Sequence, residues 1–332
     1  MHPATPRRHA RTGLTLTALG LGGAQMGGLF QATRLDEAAG AFRAAWDRGV
    51  RTYDTAPFYG FTRAERRLGT LLTEEPRDAY VVSTKVGRVM VPDPSVGPME
   101  EGYAEPLPFR PTFDYSHDGV LRSFEASQQR LGILDPDILY VHDIGRVTHG
   151  ERHAETWEQL TAGGGFRALT RLREEGAVRA IGLGVNEWEI VAEAIRVADL
   201  DLCMLAGRYT LLEQDSLGLM DECARRGIGI AVAGAFNSGL LAGQTTYNYA
   251  EAPPALVART EALRAACAEE GVRLEAAALQ FPLLHPAAVT VVTGARNAAQ
   301  VEANAAWFAD PIPEGFWARL KARGLIHDAA PI

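Results

Sequence analysis

Short apolar runs rich in Val, Ile and Leu recur along the 332 residues, each followed by a longer segment whose apolar positions fall three and four apart. The runs around 15–22, 50–54, 80–85, 137–142, 179–184, 201–207, 228–234 and 288–293 predict strands. The stretches near 35–48, 63–73, 116–130, 166–176, 187–198, 215–226, 255–270 and 297–307 predict helices. Tyr80-Val81-Val82-Ser83 and Ile228-Gly229-Ile230-Ala231-Val232 are too continuously apolar for a sheet with one wet face, so these strands are expected to be covered on both sides. Eight strand–helix pairs favour an α/β fold of the closed (β/α)8 TIM-barrel type. An open doubly wound sheet shows the same alternation, so closure rests on the count alone.

Two segments interrupt the rhythm. Residues 87–113 hold Pro92, Pro94, Pro98, Pro106, Pro108 and Pro111 with little periodicity, and they follow the third strand directly. A long irregular loop there is expected to form a wall over a substrate. Residues 239–254, with Tyr247, Asn248 and Tyr249, follow the seventh strand and are expected to close over a ligand in the same way. Residues 1–12 are expected to be a flexible tail, with Arg7, Arg8 and Arg11 ahead of the first acidic residue, Asp36, and 13–332 to be one barrel domain with long loops at its C-terminal face.

Composition narrows the functional classes. Hydrophobic residues make up 47% and charged residues 22%, as in ordinary globular chains. A net charge of −8 without a Lys/Arg-rich stripe argues against nucleic acid as a partner. No apolar run is long enough to span a bilayer and no signal peptide is evident, so a cytoplasmic location is expected. Cys203, Cys223 and Cys267 form no CxxC pair and suit reduced, buried thiols. The oligomeric state is not legible.

In a barrel of this type, polar residues at the C-terminal ends of strands share one cavity. The second strand ends in Tyr53-Asp54-Thr55-Ala56-Pro57-Phe58-Tyr59-Gly60, the third in Ser83-Thr84-Lys85, and the fourth in Leu139-Tyr140-Val141-His142-Asp143. An acid, a phenol, an ammonium and an imidazole thus converge. A phenol, with an ordinary pKa near ~10, becomes a usable proton donor or acceptor when a cation lies beside it, as Lys85 would. Asp54 can hold that lysine, and His142 can orient a substrate oxygen. Taken singly, each has a bland reading as a cap, a half-buried aromatic, a snorkelling lysine or a core histidine. Their succession at adjacent strand ends favours the functional reading.

Other motifs carry less. Leu19-Gly20-Leu21-Gly22-Gly23 lacks the last glycine of a dinucleotide fingerprint, and Gly163-Gly164-Gly165 lacks the lysine of a P-loop. His149 and His153 stand four apart without a third ligand at metal-site spacing, so no metal is expected.

With these residues in view, the chain resembles the aldo-keto reductase superfamily from about Gly13 to Phe308. The likeness rests on Tyr53 to Gly60, Glu65-Arg66-Arg67-Leu68-Gly69, Ser83-Thr84-Lys85, the strand ending in His142, and Thr293-Gly294-Ala295-Arg296 followed by Gln300 and Asn304. The resemblance implies a catalytic tetrad of Asp54, Tyr59, Lys85 and His142. It also implies NAD or NADP bound in extended form at the barrel mouth. Gly22, Asn186, Phe236, Ser238, Gly239, Leu241, Gly294, Arg296, Gln300 and Asn304 would contact that cofactor. Gly294-Ala295 stands where relatives often carry a lysine and a hydroxyl for the adenosine 2′-phosphate, which makes NAD plausible. Gly182-Leu183-Gly184-Val185-Asn186 and Ala233 to Leu241 look like the branch holding aldose 1-dehydrogenases, L-galactose dehydrogenase-like enzymes and a pyridoxal 4-dehydrogenase. The implied activity is oxidation of an aldose or similar cyclic hemiacetal, a small-molecule substrate, to a lactone. The alternatives are an NADPH-dependent aldehyde or ketone reductase, a pyridoxal 4-dehydrogenase, and a regulatory subunit that only binds cofactor.

Overall fold

In the computed structural model, which describes every residue except Tyr249, eight parallel strands close into a barrel. They are β1 (Leu19–Gly22), β2 (Thr52–Asp54), β3 (Val81–Val86), β4 (Ile138–His142), β5 (Ala180–Val185), β6 (Leu202–Ala206), β7 (Gly229–Ala233) and β8 (Ala288–Gly294). The ring closes where β8 pairs with β1, Val291 against Leu19 through Gly294 against Gly22. The eight expected strands and the closure are therefore both present.

The helices that follow the strands are α1 (Leu35–Asp47), α2 (Arg63–Leu72), α3 (His117–Leu131), α4 (Gly165–Glu174), α5 (Trp188–Ala194), α6 (Leu217–Arg226), α7 (Pro254–Glu269) and α8 (Ala298–Ala309). Helices at Arg146–His149, His153–Leu160, Leu274–Gln280 and Phe316–Ala322 supplement them. No helix among the described residues is long and apolar enough to cross a membrane.

Strand alternation sorts the core into an inside and an outside. Val81, Ile138, Tyr140, Ala180, Leu202, Met204, Ala231 and Val289 pack together within the barrel. Val82, Leu139, Val141, Ile181, Leu183, Cys203, Leu205, Ile230 and Val232 face the helices. Continuing the alternation along β2, β3 and β4 brings Asp54, Lys85 and His142 to the inner face at the C-terminal rim.

Two sequence expectations are corrected. Residues 1–12 are not a flexible tail: Pro6–Arg8 pairs antiparallel with Thr15–Thr17, and this hairpin carries the fully buried Leu14 and Leu16 into the interior cluster, plugging the barrel floor. Arg7 donates to the Ala288 carbonyl at 2.9 Å, and His9 Nε2 lies 3.0 Å from the Gly227 carbonyl. The apolar pair Leu14 and Leu16 drives this docking, which the arginines around it obscured. The expected strand 15–22 accordingly splits at Ala18 between the plug and the barrel.

Residues 87–113 are likewise not irregular. Arg88–Pro92 pairs antiparallel with Phe109–Phe113, and a smaller hairpin, Met99–Glu100 with Tyr103–Ala104, forms the tip. The tip is clasped to the loop after β1: Ala104 N–H donates to the Gly28 carbonyl at 2.9 Å and Phe30 N–H to the Gly102 carbonyl at 2.6 Å. The segment after β7 runs through a turn at Leu240–Ala242 and a short pairing of Thr246–Tyr247 with Ala250–Glu251. Tyr247 and Asn248 belong to it, while Tyr249 lies outside the described residues.

Candidate active site

Lys85 is the hub of the rim. Its side chain is 1% exposed, and its Nζ donates to Asp54 Oδ1 at 3.0 Å and Oδ2 at 2.8 Å, to the Thr55 carbonyl at 3.0 Å and to the Tyr59 hydroxyl at 2.9 Å. Asp54 accepts a further bond from Ser83 Oγ at 2.7 Å. A buried ammonium held by a carboxylate and two further oxygens meets the requirement that buried charges be paired and hydrogen-bonded. Room for its stem comes from β5: a Cβ at Gly184 would lie 3.1 Å from Lys85 Cε and 3.3 Å from Tyr140 Cβ.

Tyr59 sits beyond the end of β2 and is half-buried. Its backbone is pressed from behind by the loop after β1, where a Cβ on Gly27 would stand 2.7 Å from the Tyr59 carbonyl carbon. Only glycine fits there without moving one of the two loops. The Tyr59 ring lies 5.7 Å from the His142 ring, edge to face, and 6.3 Å from Tyr103 of the hairpin tip.

His142 is 4% exposed, and its Nδ1 has no hydrogen-bond partner among the described residues. Burial, reinforced by the nearby charges of Arg88 and Lys85, holds its pKa well below the ordinary imidazole value. The ring is therefore neutral and, as one tautomer or the other, has one N–H to donate. The structure thus gathers all four residues of the expected tetrad in one cluster.

Two neighbours escaped the sequence reading. Arg88, at the base of the hairpin and 6% exposed, donates to Asp143 Oδ2 at 2.7 Å and lies 3.9 Å over the Phe58 ring. Asp143, directly after His142, adopts a left-handed φ of 43° and accepts from Asn186 Nδ2 at 3.2 Å. Burial raises the Asp143 carboxyl pKa, and the charges of Arg88 and Lys85 oppose that shift. The signals available were an arginine two residues after the third strand and an acid adjoining a strand-end histidine.

The expected cofactor residues fall into two further groups. Beyond β8, the Arg296 guanidinium donates to the carbonyls of Gln31 at 2.5 Å and Leu29 at 2.9 Å and to Thr33 Oγ1 at 2.5 Å. Gln300 Oε1 accepts from Arg296 N–H at 2.7 Å, and Asn304 Nδ2 points to the Gly294 carbonyl at 3.5 Å. Gln25 occupies the space that a Cβ on Gly294 would need, and Gly294 lies in register with Gly22. After β7, Phe236 is half-buried with its ring 6.1 Å from Trp307, and its carbonyl accepts from Gly239 N–H at 3.0 Å. Thr246 Oγ1 donates to the Ser238 carbonyl at 2.6 Å. Leu241 departs from expectation: it is 0% exposed, and its N–H donates to the Phe236 carbonyl, so it supports this turn from within the core and offers no surface to a ligand.

A closed (β/α)8 barrel that holds a buried Lys–Asp pair against a tyrosine hydroxyl at its rim has the makings of a proton-transfer site, and the comparisons with known proteins give the class. The sequence pattern of the Aldo/keto reductase family matches residues 18–323, and the chain belongs to that family. It is 48% identical to a pyridoxal 4-dehydrogenase of Microbacterium luteolum, covering 98% of this chain and 100% of that protein. It is 42% identical to a D-threo-aldose 1-dehydrogenase of a Pseudomonas species, covering 96% and 97%. Its fold matches a holo-form aldo-keto reductase of Bacillus halodurans with a TM-score of 0.73 at 20% identity, over 98% of this chain and 97% of that one. Enzymes of this family use nicotinamide cofactors, and this chain is an oxidoreductase.

Proposed function

We propose that this protein oxidises a cyclic hemiacetal to a lactone, with NAD+ as the acceptor. The observation that carries the reading is the Lys85 Nζ, fixed by Asp54 and 2.9 Å from the Tyr59 hydroxyl. The Lys85 charge favours the phenolate form of Tyr59, which takes the proton of the anomeric hydroxyl. His142, held neutral by burial and the nearby cations, donates its ring N–H to the same substrate oxygen and keeps it aligned. When bound, the nicotinamide supplies the hydride acceptor for the anomeric carbon. Asn186 would hold its carboxamide. Phe236, Ser238 and Gly239 would line its middle, and Gly22, Gly294, Arg296, Gln300 and Asn304 its adenosine end.

NAD+ is favoured over NADP+ because Gly294-Ala295 brings no cationic or hydroxyl side chain to the 2′-position, while Arg296 is engaged by three oxygens of the loop after β1. The 42%-identical relative supports an aldose of the D-threo type as substrate. A second reading, pyridoxal, is favoured by the 48%-identical relative and by Phe58, Tyr103 and Phe113, whose rings surround Arg88 and Tyr59 and suit a flat substrate. Three buried free thiols fit a reducing, cytoplasmic compartment.

The test is absorbance at the reduced-nicotinamide band with L-fucose, D-arabinose, L-galactose and pyridoxal, each with NAD+ and with NADP+. A rise with a sugar and NAD+ is expected. A rise with pyridoxal alone selects the second reading. Consumption of NADPH with an aldehyde, and no rise with any of the four, would replace the dehydrogenase by a reductase.

A further inference from the structure

The ends of β3, β4 and β5 are joined by a polar chain that the tetrad does not use. Arg88 reaches Asp143 Oδ2 at 2.7 Å, and Asp143 Oδ1 accepts from Asn186 Nδ2 at 3.2 Å. Asp143 holds this place through a left-handed backbone, φ 43°, which a residue without a local reason rarely adopts. Its Oδ2 also stands 3.5 Å from His142 Nε2. Arg88 is clamped in turn, with its guanidinium over Phe58 at 3.9 Å and Phe113 at 5.3 Å.

We propose that Arg88 and Asp143 are a positioning pair: Asp143 fixes the Asn186 amide for the carboxamide of the cofactor, and Arg88 fixes Asp143. The inference rests on the dehydrogenase reading. An amide has two ends that differ only in what they donate or accept. With its Nδ2 committed to Asp143, the Asn186 side chain presents Oδ1 outward as an acceptor for a carboxamide NH2. Without Asp143 the amide is free to turn over, and the acceptor is lost for part of the time. Arg88 has a second effect, on His142. The charged and titratable groups around that ring are Arg88 from the hairpin, Lys85 from β3, Asp143 from its own strand end, Tyr59 from the loop after β2, and Asp54 of β2 behind Lys85. Burial is the main reason the imidazole stays unprotonated; removing Arg88 takes away one of the two cations that add to it and leaves Asp143 without its counter-charge.

The experiment measures NADH binding by quenching of tryptophan fluorescence, together with the pH profile of kcat/KM. Asp143→Ala is expected to weaken NADH binding at least about tenfold, whereas Asp143→Asn, which keeps an acceptor for Asn186, should stay within about threefold of the parent. Arg88→Gln is expected to move the acid limb of the profile to higher pH, and Arg88→Lys to return it, a displacement that mere loss of packing would not give. If Asp143→Ala fails to fold, judged by its melting curve, the Arg88 pair carries the test. NADH binding unchanged in Asp143→Ala, or within about threefold of the parent in Arg88→Gln, would overturn the proposal. Failure of the parent protein to bind any nicotinamide would show instead that the dehydrogenase reading is at fault.

Discussion

The rim of the barrel is built in two ways. At the ends of β2 and β3, Asp54, Ser83 and Lys85 are inward positions of regular strands, with Ser83 and Lys85 each bonded to Asp54 within 3.0 Å. At the ends of β7 and β8 the candidate cofactor residues sit on turns and on the start of α8, and their polar groups are taken up by neighbouring backbone, as with Arg296 on Leu29 and Gln31. On the function proposed above, the first region is set for chemistry before anything binds, and the second would exchange some of its internal bonds for ligand bonds. Strand geometry gives preorganisation for electrostatic work, while turns allow a long, flexible ligand to be gripped and released.

The sharpest way to break this contrast is at Tyr59. Tyr59→Phe removes the hydroxyl next to Lys85 Nζ and leaves the ring, so kcat should fall by between about 10²- and 10⁴-fold, the usual span for a general acid or base. NADH binding, which draws on the other region, should remain near the parent value. Steady-state kinetics beside fluorescence titration checks both. Equal loss of turnover and of binding would show that the two regions are not separable.

The same contrast explains what could be read from sequence. Tyr80 to Ser83 and Ile228 to Val232 are continuously apolar because both faces are buried, so the strands were legible, and alternation then placed Asp54, Lys85 and His142 on the inner face. The hairpin 88–113 was not legible, because its prolines argue against strands. They are tolerated since Pro92 and Pro111 lie in a two-stranded ribbon with free outer edges, where a missing N–H breaks no further ladder. With the hairpin hidden, nothing brought Arg88 back over the mouth. Asp143 was in plain view after His142, but its link to Asn186 depends on a backbone turn that no spacing encodes. Leu241 was assigned by resemblance alone, and resemblance does not say which residues of the turn after β7 the core takes up. The plug at 6–17 was missed because arginines outnumber the two leucines that anchor it.

A smaller effect sharpens the cofactor side. Arg296→Leu deletes three bonds to the loop after β1, a loop clasped to the 88–113 hairpin through Gly28 and Phe30. The expected cost is about 1–2 kcal/mol in chemical denaturation, reduced by partial exposure of the site. kcat/KM with NAD+ should fall less than about tenfold, a loss of roughly 1.4 kcal/mol or less. If NADP+ proves the better cofactor and its kcat/KM collapses in this variant, Arg296 is a phosphate ligand first and a loop anchor second.

The smallest expected effect concerns His149, on the outer side of the catalytic region. Its Nε2 lies 3.0 Å from the Tyr115 hydroxyl, which also donates to the His142 carbonyl at 2.8 Å. Burial, aided by the Arg88 charge, lowers the His149 pKa to about 4. A histidine with a depressed folded pKa binds fewer protons than its unfolded counterpart between about 4 and the ordinary value near ~6.5, so stability rises with pH across that window. Below the window both states are protonated and the contribution is gone. The raised carboxyl pKa values of Asp137 and Asp143 act in the opposite direction, and His9, His142 and His285 add to the acid loss, so the parent curve alone does not isolate His149. His149→Gln keeps an amide against Tyr115 and removes the titration. Between pH 6.5 and 4 the parent should therefore lose about 1–2 kcal/mol more stability than this variant, a figure already discounted for the partial exposure of the ring. Parallel curves from urea unfolding across that range would mean that His149 is solvated in the folded protein, and that the dry, desolvated part of the catalytic region ends at His142.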